Sequence, residues 1–81
     1  MKNIRIEEVG DINSVYPYLE VFYLNGGSPF CEISISEEKQ LVFKLYADEA
    51  HLTLEEWEHM SYVAKEFLPK AIKNEDDFLH F

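Results

Sequence analysis

The chain has 81 residues, 16 of them Asp or Glu and seven Lys or Arg, for a formal net charge of −9. Without a basic stripe, that balance argues against nucleic-acid binding and against charge-driven attachment to anionic lipid. Apolar residues at 47% and aromatic residues at 15% exclude a disordered chain, and the length allows one domain with one core.

Residues 2–9 alternate Ile4 and Ile6 with Arg5 and Glu7, so a short strand is expected there. Gly10 to Pro17 reads as a connection, because Pro17 biases Tyr16 away from helix. Residues 18–24 are aromatic and branched and end at Asn25-Gly26-Gly27-Ser28-Pro29. That cluster offers the positive φ that a tight hairpin uses. Residues 30–36 alternate Cys31, Ile33 and Ile35 with Glu32, Ser34 and Ser36. Glu37-Glu38-Lys39 is a polar turn, and residues 40–46 alternate again, Leu41, Phe43 and Leu45 against Val42, Lys44 and Tyr46. Short turns make neighbouring strands antiparallel, so these three segments form a meander.

The period then changes. Thr53 and Glu56 have the spacing of a capping box, with Leu52 and Trp57 placed as its hydrophobic staple. A helix over 54–72 is expected, with Glu55, Glu56 and Glu58 early and Lys70 and Lys73 late, both complementing the macrodipole. Its apolar stripe is Trp57, Met60, Ala64, Phe67, Leu68 and Ala71. Pro69 predicts a kink or an end near Leu68, leaving 75–81 as a tail that tucks a ring of Phe78 or Phe81 onto the domain. The fold class is α+β: an antiparallel meander of three to four strands on one C-terminal amphipathic helix, in two layers. Leu19, Val21, Tyr23, Cys31, Ile33, Ile35, Leu41, Phe43 and Leu45 should face the helix, since a one-residue slip would send Glu20, Glu32 and Lys44 inward.

Two surfaces stand out. The outer sheet face should carry Tyr18, Glu20, Phe22, Leu24, Phe30, Glu32, Val42, Lys44 and Tyr46, and one helix cannot cover both faces. Tyr18, Phe22, Phe30, Val42 and Tyr46 are candidates for self-association there, unless residues 2–9 and 78–81 cover them. The outward helix face should carry Glu55, Glu58, His59, Tyr62 and Glu66, preceded by Asp48 and Glu49 in the loop. From Asp48 to Glu58 there are five acids and no Lys or Arg. Tyr62 would anchor a basic partner and the acids would steer it. The plain alternative is a solvated face with one incidental tyrosine.

Catalytic and metal chemistry find little support. His51, Glu55 and His59 are spaced by four, but His51 precedes the cap and no third strong ligand is specified. Asp76, Asp77 and His80 form a looser cluster. Cys31, the one cysteine, alternates inward as a small hydrophobe and excludes an internal disulfide. Glu55 and Glu56 point to different helix faces, and Asn25-Gly26-Gly27 is not followed by the helix and lysine of a phosphate loop. No enzyme activity, cofactor or metal is expected. The first eight residues lack the apolar run of a signal peptide, and no stretch approaches the roughly 20 apolar residues of a membrane span. With a lone cysteine this suits a reducing, cytoplasmic setting.

In size and acidity the chain resembles the small inhibitors that neutralise bacterial nuclease toxins, and phage proteins that mimic nucleic-acid charge. That likeness is one of composition and carries no residue across. The leading expectation is a small acidic binding module of the inhibitor or immunity type with a basic protein partner. The alternative is a homodimer or assembly subunit joined through the outer sheet face.

Overall fold

The structure is a computed structural model that describes residues 4–10, 15–46 and 51–79, with side chains through residue 74. Four strands, β1 (Ile4–Val9), β2 (Tyr18–Tyr23), β3 (Cys31–Ile35) and β4 (Leu41–Leu45), are followed by one helix, α1 (Leu54–Leu79). The sheet is antiparallel throughout, in the order β1-β2-β3-β4. It packs one face on α1, giving the two-layer α+β fold that the alternation and the change of period imply. Residues 4–9 join the sheet as an edge strand, so they do not lie across its outer face.

The inner face follows the expected register. Leu19 stands opposite Ile33, Val21 opposite Cys31, and Ile33 opposite Phe43. With Ile4 and Phe30 they meet Met60, Ala64, Phe67 and Ala71 of α1 in one cluster, where Val21, Cys31, Ile33 and Met60 are fully buried. Burying an aliphatic side chain of this size contributes about 1.5–3 kcal/mol. The fully buried strand residues, Val21, Cys31 and Ile33, lie on the two central strands β2 and β3. At the β4 edge Leu45, expected inside, is 56% exposed. Trp57 is exposed too, with its ring tilted against Phe43 at 5.1 Å between centroids.

Three local expectations are corrected. Phe30 is not on the outer face: it is 4% exposed, precedes β3, and stacks on Tyr23 at 4.1 Å and 16°. Alternation does not extend to a residue outside the strand, and its backbone is held from both sides, donating to Val21 and accepting from Tyr46. The β2–β3 loop uses no positive-φ glycine. It is long enough to turn through an ordinary Gly26 N–H to Tyr23 C=O bond of 3.0 Å, whereas only two-residue turns demand mirror-image backbone. Positive φ occurs instead at Lys39 (62°), in the β3–β4 turn closed by Ser36 and Gln40.

The third correction is α1 itself, which runs 26 residues through Pro69 to Leu79, where a kink or an end near Leu68, a helix no longer than 54–72 and a tail over 75–81 are expected. Pro69 removes one hydrogen bond, but it and Lys65 lie on the solvent side, while Phe67 and Ala71 on either side of it stay in the core. Packing outweighs the lost bond. As a result Lys70 and Lys73 sit inside the helix, and its last turn carries no basic residue. At about 1.5 Å per residue, α1 sets the long axis of a molecule measuring 43 × 22 × 20 Å. The capping box forms as expected: Glu56 N–H donates to Thr53 Oγ1 (3.1 Å), and Thr53 N–H donates to Glu56 Oε1 (2.8 Å). Glu56 is accordingly a buried carboxylate.

Candidate functional surfaces

The outward face of α1 is set by helical period alone. Met60, Ala64, Phe67 and Ala71 point at the sheet, so Glu55, Glu58, Tyr62 and Glu66 point away. All four are exposed, and Tyr62 most decisively at 66%. His59 is half-buried at the flank. Asp48 and Glu49 lie outside the described residues, as does His80. His51 is exposed ahead of the cap, and its carbonyl accepts a 3.4 Å bond from the Tyr23 hydroxyl. That contact ties the helix entry to β2. No group of three or more His, Cys, Asp or Glu among the described residues could hold a metal ion. No described helix is long and apolar enough to cross a membrane.

The outer sheet face carries a feature that sequence reasoning missed. Pairing places Glu7 opposite Glu20, Glu20 opposite Glu32, and Glu32 opposite Lys44. One row of side chains thus runs Glu-Glu-Glu-Lys across all four strands. Adjacent strands are about 4.8 Å apart, so three carboxylates lie within roughly two strand spacings. Alternation put Glu20 and Glu32 on this face, but the eight-residue β1–β2 connection does not fix register, so their alignment with Glu7 was not readable.

Rings flank the row. Arg5 stands opposite Phe22 with its guanidinium carbon 4.3 Å from the ring centroid, and its Nε lies 3.6 Å from Glu7 Oε1. Under this cover and its strand neighbours, Phe22 is 7% exposed. At the other end Tyr46 donates its hydroxyl to Glu32 Oε1 at 2.9 Å, and Lys44 Nζ lies 5.4 Å from the Tyr46 centroid. The phenol pKa of Tyr46 is raised by that hydrogen bond first, then by slight burial and the Glu32 and Glu20 charges. Of the self-association candidates, then, Val42 and Tyr46 are exposed, Tyr18 is half-buried, and Phe22 and Phe30 are withdrawn.

Two other features complete the inventory. Cys31 is buried, and its thiol is pushed from 9.0 to about 11 by desolvation first and by the Glu32 carboxylate next, against a backbone hydrogen bond from Lys44. Such a thiol holds its proton at neutral pH and is a poor nucleophile. A cleft of about 340 Å³ opens between β2 and the second half of α1, lined by Leu19, Val63, Phe67 and Ala71 with Glu8, Glu66 and Lys70. Comparison with protein-family models, curated proteins and solved structures yields no match.

Proposed function

We propose that this chain is a small acidic protein-binding module of the inhibitor or immunity type, cytoplasmic, with a basic protein partner engaged by charge complementarity. The supporting observation is the exposed Tyr62 ring among Glu55, Glu58 and Glu66 on the helix face turned away from the core. A rigid ring gives contact area at small entropic cost, and surrounding carboxylates accelerate encounter with a cationic surface.

A pull-down from native-host lysate at low and at moderate salt, read by mass spectrometry, tests this proposal. Stoichiometric recovery of a basic protein, lost as salt rises, is expected. With that partner purified, Glu55→Lys with Glu58→Lys should slow association roughly tenfold, and Tyr62→Ala should speed dissociation. Association that ignores salt would sink the electrostatic account. Recovery of the chain alone at both salts would favour a homodimer through the outer face, where Val42 and Tyr46 are exposed.

A further inference from the structure

We propose that the outer face of the sheet docks arginine side chains of a basic protein partner, seating a guanidinium on the Glu20–Glu32 pair between Tyr18 and Tyr46. It rests on the basic-partner reading above but places contact on a different face from Tyr62.

Like charges directly opposite on neighbouring strands destabilise a sheet, and here Glu20 has a carboxylate on each side. Arg5 relieves the Glu7 end, and Lys44 stands at the Glu32 end. The middle carboxylate, Glu20, makes no ion pair among the described residues. An incoming cation would relieve a repulsion that the free protein carries.

This face already holds one guanidinium against a ring and a carboxylate. Arg5 lies over the Phe22 ring and reaches Glu7 with the same group. Glu20 on β2 and Glu32 on β3 continue the row that Glu7 begins, and the Tyr18 and Tyr46 rings lie to its two sides. Arginine suits this geometry better than lysine, because a planar fork can stack on a ring and bond two carboxylate oxygens together. A second copy of the chain fits poorly: it would bring a carboxylate row to a carboxylate row, with Phe22 and Phe30 already withdrawn.

The test is a titration of the 15N-labelled full chain, followed by amide chemical shifts, with two hexapeptide probes of equal charge, (Arg-Val)3 and (Lys-Val)3. Shifts at residues 18–22, 31–34 and 42–46 are expected, with the arginine peptide at least threefold tighter. Glu20→Gln should weaken that peptide roughly fivefold without lowering the melting temperature, while Glu38→Gln, an equal charge loss at the β3–β4 turn, should leave affinity unchanged. Shifts confined to residues 54–66 would overturn this docking face and leave the basic-partner reading standing. Equal effects of the Glu20 and Glu38 substitutions would overturn it as non-specific attraction, and equal affinity for both peptides would overturn the choice of arginine. No shift with either peptide, while the pull-down still returns a salt-sensitive basic protein, would overturn the sheet site alone. Failure of both experiments would remove both proposals.

Discussion

On the inner face of the sheet, register brings apolar side chains together: Val21 with Cys31, Ile33 with Phe43, Ile4 with Tyr23. Glu8, at the far end of edge strand β1, is the exception. On the outer face the same register opposes carboxylate to carboxylate over three strands. One backbone pairing therefore serves two faces whose side chains vote differently on it. The inner face wins, because burying several aliphatic groups outweighs repulsions of about 0.2–1 kcal/mol each. Pairing is thus dictated from inside, and the outer face is left to carry chemistry that stability alone would not select.

Substitutions can break that contrast in order of size. Ile33→Ala, in the fully buried centre, should cost about 3 kcal/mol in urea denaturation, whereas Val42→Ala on the exposed outer face should change stability by less than about 0.5 kcal/mol. Equal costs would show that the outer face is also packed. Alkaline titration sharpens the same point. The unfolded Cys31 thiol loses its proton near 9.0, whereas the folded one keeps it to about 11. Over that window the unfolded state binds fewer protons, so stability should fall as pH rises. Tyr46, with its raised pKa, acts in the same direction. Cys31→Ala should flatten the decline, and an unchanged slope would mean that the thiol is not buried.

Smaller effects lie outside the sheet. Thr53→Ala should cost about 1 kcal/mol by removing the cap and leaving the Glu56 backbone N–H without the Thr53 Oγ1 acceptor. Lys39→Gly should gain about 0.5 kcal/mol, since Lys39 holds a left-handed φ of 62° that glycine adopts freely. A loss at that position would show that the Lys39 side chain contributes more than its backbone conformation costs.

What could be read from the chain divides along the same line. The meander, the inner face and the helix start were legible, because period-two alternation and a capping box are local signals tied to burial. Phe30 was misplaced because it lies just outside β3, where stacking on Tyr23 rather than alternation sets its direction. α1 extends seven residues beyond the expected end at residue 72, because Pro69 signals a kink or an end locally, and only tertiary packing of Phe67 and Ala71 shows why the helix continues. The exposed Tyr62 followed directly from helical period. The carboxylate row did not, since it is a relation between strands and depends on register across a connection whose length permits several pairings.

The most direct test of the contrast between faces is the urea midpoint of Glu20→Gln, measured at neutral pH and low salt. If the row is a repulsion held in place by the inner face, removing its central charge should raise stability by about 0.5 kcal/mol with an unchanged m-value. The gain should shrink as salt is added. A midpoint that falls, or a gain indifferent to salt, would contradict the account by showing that Glu20 stabilises the sheet as it stands.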